Sequence, residues 1–200
     1  GEGKCMLTFG VTGNRRQNGL SLSQAKALLK RFGGVFTGTL LGRKWAQNRF
    51  RFPYLREALW QAGYAVDTLE TATDWSNVDG LLQKIEASLR DGLAAEGEKV
   101  HVFTHLSHVY GEGSSIYTTY VFRPAASYAA TLERWKRLKH AASQAIVDNR
   151  GTISHQHGVG KDHAPYLHRE KGELGVAALR AMAGHFDPAG RLNRGTLLQD

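Results

Sequence analysis

Residues 100–122 read VHVFTHLSHVYGEGSSIYTTYVF, from Val100 to Phe122. Val100–Tyr110 and Ser115–Phe122 are rich in β-branched and aromatic residues, and Gly111-Glu112-Gly113 between them has the composition of a hairpin loop. On the second run Ile116, Thr118, Tyr120 and Phe122 share one face, and Tyr117 and Thr119 share the other. On the first, His101, Phe103 and His105 alternate against Val102, Thr104, Leu106 and His108. One face is therefore polar and aromatic, and is expected to be solvated. A tight antiparallel hairpin does not fit inside a purely parallel doubly wound sheet except at an edge. The fold class expected is α+β: an antiparallel β-sheet with helices packed mainly on one face, followed by C-terminal helices.

Working outward, Cys5–Val11 reads as a strand ending at Gly13. Ser21–Arg31 reads as a helix capped by Ser21 or Ser23, with Ala25, Leu28 and Leu29 at helical spacing and Gly33-Gly34 as its stop. Gly42–Tyr64 is dense in aromatic and basic residues. Within it Pro53 opens a short helix to about Gln61, whose packed face is Leu55, Leu59 and Trp60. Tyr64–Leu69 is a second strand. Asp74-Trp75-Ser76 opens a helix with Val78, Leu81, Leu82, Ile85 and Leu89 on one stripe. Beyond the hairpin Pro124 ends the strand, and a long helix to about Val147 packs through Leu132, Trp135, Leu138, Ala142 and Ile146. Gly151–Ser154 reads as a short strand entering a Gly/His loop, and the rest is helical until Pro188.

A chain of 200 residues, 42% hydrophobic and 22% charged, can bury a core without covalent staples. It holds no run of 18 apolar residues, so no transmembrane helix is expected. The single cysteine, Cys5, excludes a disulfide framework and zinc sites built from several thiolates. A cytoplasmic location is the expectation. The chain opens on Gly1 without a signal pattern, which reads as a start after processing or partway into a longer protein. Lys and Arg number 26 against 18 Asp and Glu, a net +8 that favours an anionic partner. The excess is spread along the chain rather than gathered in blocks, which weakens nucleic acid and a polybasic membrane contact as that partner.

Four places could carry chemistry. Ser154 to Lys161 (SHQHGVGK) holds His155 and His157 two apart, which would share a side if the backbone stays extended. The nearby glycines would allow a flat or phosphorylated group to approach the backbone. Asp162 and His163 are the only local offers of a further metal ligand, and no metal site is assigned. Asp162 after Gly-Lys also rules out a P-loop, and no dinucleotide-binding glycine turn is present. The hairpin face with Tyr117 is the second place. Arg56, among Arg49, Arg51 and Tyr54, is the third, as a clamp for carboxylate or phosphate; Glu70 could pair with one of these arginines. The fourth is Leu132–His140, whose Arg134, Lys136, Arg137 and Lys139 read as the solvated face of an amphipathic helix.

Several of these stretches, taken in order, resemble the C-terminal part of the FAD-linked oxidases of the vanillyl-alcohol-oxidase type. Within them the chain is most similar to the alkylglycerone-phosphate (alkyl-dihydroxyacetonephosphate) synthases. The stretches are Trp45 with Arg49-Phe50, Pro53 to Arg56, Asp67 to Ala72 with Trp75, Ser107 to Tyr110, Ile116-Tyr117, Ser154 to Lys161, and Phe186-Asp187-Pro188 with Asn193. The resemblance implies a ferredoxin-like substrate-binding cap over residues 1–150. It implies a His-loop and helical segment over 151–200 facing a flavin domain, with FAD held mainly by that separate N-terminal domain.

The activity implied is exchange of the acyl chain of acyl-dihydroxyacetone phosphate for a fatty alcohol in ether-lipid synthesis. Flavin N5 would trap the dihydroxyacetone-phosphate carbon after proton removal. Tyr117, His155 and His157 would be catalytic, Arg56 and His108 substrate-binding, and His155, His157, Gly158 and Asn193 cofactor-binding. The resemblance makes His155 and His157 the outer members of a histidine triplet beside the flavin; its central member is Gln156 here, and an amide cannot serve as a proton shuttle at neutral pH. An FAD-dependent oxidase or dehydrogenase of a 2-hydroxy acid or related alcohol is the alternative, and a basic anion-binding module is another. The chain alone is expected to be inactive. Expected partners are a phosphorylated or carboxylated small molecule, a fatty alcohol and a membrane surface for the intact enzyme, with no nucleic acid. The oligomeric state is left open, a homodimer being one form.

Overall fold

The computed structural model describes residues 6–198. The chain divides into two compact units, one up to Leu55 and one from Arg56 onward.

In the first unit α1 (Arg15–Arg31) and α2 (Leu40–Asn48) are followed by a 3-10 turn over Arg49–Tyr54. Of the expected strand at Cys5–Val11, the first residue lies outside the described residues, and Met6 to Val11 form no strand and have no ladder partner among the described residues. The helix expected from Ser21 begins six residues earlier. Asn14 caps it by accepting the Gln17 backbone N–H at 2.9 Å, while the Gln17 side chain accepts from the Asn14 backbone. That reciprocal cap carries the helix through Gly19, and Ser21 and Ser23 lie inside it. The end is as expected, with the Gly34 N–H donating to Leu29 O around a left-handed Gly33. No described side chain of this unit is buried.

The second unit opens with α3, which runs from Leu55 itself to Gln61 (Leu55–Gln61). Its expected packed face is not packed, since Leu55 and Trp60 each keep about half their surface exposed (53% and 52%). Then come β1 (Ala65–Asp74), α4 (Trp75–Asp91), β2 (His101–His105), β3 (Gly113–Phe122), α5 (Tyr128–Asp148) and α6 (Leu167–Phe186). The three strands form one antiparallel sheet in the order β1-β3-β2. Its register runs from Ala65 opposite Phe122 to Asp74 opposite Gly113, and sets Glu70 and His105 on either side of Tyr117.

The alternation read from the sequence holds. Leu69, Ile116, Tyr120 and Phe122 face inward and pack with Leu81, Ile85 and Leu89 of α4 and Leu138, Ala142 and Ile146 of α5. Burying side chains of this size contributes roughly 1.5–3 kcal/mol each, which is what holds both helices to one face. Gly151–Ser154 is not a strand. The segment follows the β1 edge through two backbone bonds only, Thr152 N–H to Ala72 O (3.1 Å) and His155 N–H to Glu70 O (3.0 Å). It lies where a fourth strand would complete a ferredoxin-like β-α-β-β-α-β sheet.

The basic face of α5 is not wholly solvated. Lys139 turns inward to Asp67 Oδ2 (3.1 Å) and Thr68 O (2.8 Å), beside the Trp135 and Tyr120 donors to the same carboxylate. Arg134 and Arg137 instead pair with Glu96. A second apolar cluster of Ile153, Tyr166 and Leu167, with Val147 and Val159 packed on it, seats the loop between α5 and α6. Among the described residues no helix is long and apolar enough to cross a membrane.

Candidate active site

The helices leave the outer face of the sheet uncovered; the segment after α5 runs along the β1 edge, anchored on the helix-covered side at Thr71, and its His-loop then reaches Glu70 on the outer side. Thr71 Oγ1 donates to Thr152 O at 2.7 Å, and Glu170 accepts from Thr152 Oγ1 (2.9 Å) and the Ile153 N–H (2.7 Å). Gly151 allows the approach: a Cβ there would stand 2.6 Å from Thr71 Oγ1 and 2.8 Å from Leu81 Cδ2.

Beneath the loop lies Glu70, whose side chain is only 3% exposed. Its Oε1 accepts a close hydrogen bond from Ser107 Oγ and faces His155 Nδ1 at 3.3 Å and His108 Nδ1 at 3.4 Å. Its Oε2 faces His157 Nε2 at 3.3 Å. The arginine partner expected for Glu70 is replaced by imidazoles and a serine hydroxyl. Burial pushes its carboxyl up, but hydrogen bonds from Ser107, Ser115, His155 and His108 outweigh that and hold it below the ordinary glutamate value.

His155 and His157 reach one carboxylate, though not through an extended backbone. Gln156 between them sits at φ +61° and is exposed, and it is this bend that turns both rings onto Glu70. His108 arrives because the first hairpin strand stops at His105. Tyr110 N–H donates to Gly113 O (2.9 Å) and closes the turn at the expected glycines, but Leu106–His108 bulge out of the ladder. The His108 backbone N–H donates to Ser115 Oγ at 2.9 Å, and Ser107 turns to Glu70. Tyr110 completes the group, its hydroxyl 3.2 Å from His155 Nε2. Tyr117 stands edge-on to His157 with ring centroids 5.6 Å apart, and 5.1 Å from the His105 ring.

Of the residues expected from sequence, Tyr117, His108, His155 and His157 come together here. Arg56 and Asn193 are exposed, and no hydrogen bond, ion pair or ring contact among the described residues links either to the group. Gly158 closes the His-loop, its carbonyl accepting from Ser154 Oγ at 2.8 Å. Glu70, Ser107, Ser115 and Tyr110 were not among the expected site residues. The signal for Glu70 was its position: an acidic residue in the middle of the strand, directly after Leu69. Glu70, His108 and His155 also offer three ligand atoms within 4.8 Å of one another, so the missing metal ligand beside the His-loop has a counterpart from distant sequence.

This outer-face arrangement accompanies a whole-chain match. Residues 1–197 match the family described as FAD linked oxidases, C-terminal domain. The chain belongs to that family. This C-terminal domain is similar to the alkyldihydroxyacetonephosphate synthase of Trypanosoma brucei brucei, 25% identical over 193 residues, 96% of this chain and 31% of that protein. It is 28% identical to the Caenorhabditis elegans alkyldihydroxyacetonephosphate synthase over 187 residues, 92% of this chain and 31% of that one. A solved structure of an alkyldihydroxyacetonephosphate synthase superposes with a TM-score of 0.59 at 19% identity, covering 88% of this chain and 29% of the other, which shows the shared fold. The domain therefore spans under a third of the length of these relatives.

The family name implies FAD, and the His-loop fits a flat ring. Gly158 and Gly160 both lie at positive φ with nothing within 4 Å of where a Cβ would stand, so no side chain blocks approach to the backbone. Beside them the His157 Nδ1 and the Tyr117 hydroxyl carry no partner among the described residues.

Proposed function

We propose that this domain is the substrate side of a flavoenzyme that exchanges the acyl chain of acyl-dihydroxyacetone phosphate for a fatty alcohol. Residues 1–150 serve as the cap and 151–200 as the part that meets the flavin domain. The reading is supported most by one observation: a phenol and an imidazole with unpartnered polar atoms stand side by side over a buried carboxylate that holds three imidazoles. The names of the relatives support the substrate.

FAD, held by His155, His157 and Gly158 on this side, would supply an electron sink for the substrate carbon. The chain's own residues supply the proton traffic. The exchange replaces a carboxylate by an alkoxide on the same carbon, so it needs a base for the carbon-bound proton and the alcohol proton, and an acid to return one. His157 Nδ1 serves as the base and the Tyr117 hydroxyl as the donor to substrate oxygen. His108 lines the same face, and Arg56 takes the phosphate in a two-pronged contact. Gln156 at the central position leaves this set intact, because it is exposed and the contacts to Glu70 come from the flanking histidines.

The test is product analysis on the full-length, FAD-loaded protein. An ether-linked product formed from acyl-dihydroxyacetone phosphate and a long-chain alcohol, with no electron acceptor present, supports the proposal. Oxidation of a 2-hydroxy acid that depends on an added acceptor, with no ether product, overturns it.

A further inference from the structure

The carboxylate at the centre of the site does more than fill space. An ionised carboxylate only accepts hydrogen bonds, so each ring nitrogen that faces Glu70 must carry the hydrogen. His155 Nδ1 and His108 Nδ1 make that hydrogen bond to Oε1, His108 sharing it with Ser107 Oγ at 3.2 Å, and His157 Nε2 lies 3.3 Å from Oε2 at ion-pair distance, where a hydrogen rather than a lone pair faces the carboxylate. A neutral imidazole has one N–H, so the other nitrogen of each ring is a bare acceptor. For His155 that acceptor is already used, since the Tyr110 hydroxyl donates to Nε2 at 3.2 Å. For His157 it is Nδ1, and for His108 it is Nε2. His108 stacks on Tyr110, with ring planes 12° apart, and tilts against His155. His157 instead stands edge-on to Tyr117 at 84°.

We infer that Glu70 is the positioning residue of the site, fixing the three histidines in tautomers that present Nδ1 of His157, the ring that stands edge-on to Tyr117, as the proton acceptor. The choice of acceptor rests on the proposed function; the tautomers rest on geometry alone. The His157 ring accepts a proton on Nδ1 while its N–H stays toward Glu70, so the ring does not swing as its charge changes. The same tautomers leave no lone pair on His108 Nδ1 or His155 Nδ1, so these atoms hold hydrogen rather than a metal ion.

The test is 15N NMR of the protein labelled in histidine, at about pH 8 where free imidazole is neutral, with the His157 signals assigned by their loss in His157→Gln. The inference expects a pyrrole-type Nε2 and a pyridine-type Nδ1 on His157. It also expects these signals to stay in place on addition of zinc. A protonated Nδ1 on His157, or zinc moving the Nδ1 signals of His108 and His155, overturns it. In the full-length enzyme Glu70→Gln keeps the size but turns one acceptor into a donor. Its turnover should fall roughly 10²–10⁴-fold with KM changed less than about threefold, as a wrong tautomer does. Unchanged turnover would remove the positioning role. The tautomer result stands apart from the reaction, so an enzyme that makes no ether product fails the proposed function and leaves this inference to the NMR.

Discussion

His155 Nδ1 lies 3.3 Å from Glu70 Oε1, across 85 residues of chain. Two things make that meeting: a ladder ten residues long that fixes where Glu70 points, and a loop tied to the strand edge at Ala72 and Glu70. The site is thus a property of the sheet's uncovered face.

Tyr117→Phe removes a hydroxyl with no hydrogen-bond partner among the described residues, on a ring that keeps its contacts with His105 and His157. Turnover of the full-length enzyme should fall roughly ten- to a thousandfold, as the loss of a proton-transfer group does. Stability should stay within about 0.5 kcal/mol. Steady-state rates with a thermal melt check both, and near-normal turnover would make Tyr117 a packing residue.

Gly151→Ala forces a Cβ against Thr71, Leu81 and Ile146, the last at 3.0 Å. Overpacking of this kind costs about 1–3 kcal/mol. Because the strain falls where the loop joins β1, His155 and His157 should shift on Glu70, and activity should fall by more than the folded fraction does. Chemical denaturation set beside turnover tests it; full activity with lowered stability would mean that the loop is not positioned there.

How far the sequence carries differs between fold and site. Period-two alternation from Ile116 to Phe122 and the apolar stripe from Val78 to Leu89 were readable because both report burial by their neighbours in sequence. The starting point of α1 was missed because a capping box at Asn14 and Gln17 outweighs the serines that looked like caps. The break after His105 was hidden for another reason: bonds from Ser107 and His108 to Glu70 and Ser115 replace ladder bonds, and a propensity scan sees no such competition. His155 and His157 were legible as a pair, but their convergence on Glu70 was not, since nothing local in the sequence names the partner.

His163 is buried, and its Nδ1 has no hydrogen-bond partner among the described residues. Burial, with the Lys139 charge, holds its imidazole below the ordinary 6.5. Its folded value being the lower one, the unfolded chain takes up the proton first. The contribution to stability is full above pH 6.5 and is lost as pH falls from there toward the folded value. One proton bounds the slope at about 1.4 kcal/mol per pH unit. Denaturation across pH 5–8, roughly the range over which imidazole titrates, should show this loss in the parent and not in His163→Leu; equal slopes would refute it.

Arg56 is exposed and makes no ion pair among the described residues, so Arg56→Ala should leave stability unchanged. A lost charge-assisted contact to phosphate, worth about 1.5–3 kcal/mol, should raise KM for the phosphorylated substrate roughly 10- to 100-fold. An unchanged KM would place the phosphate elsewhere.

The claim that Tyr117 and His157 work in one step is tested most directly by a double-mutant cycle in turnover of the full-length enzyme. The measurement compares Tyr117→Phe, His157→Gln and the two together. Groups that act as a unit give a double variant about as slow as the slower single one. Losses that simply multiply would mean that the two side chains act independently, and would contradict a shared proton-transfer site on the outer face of the sheet.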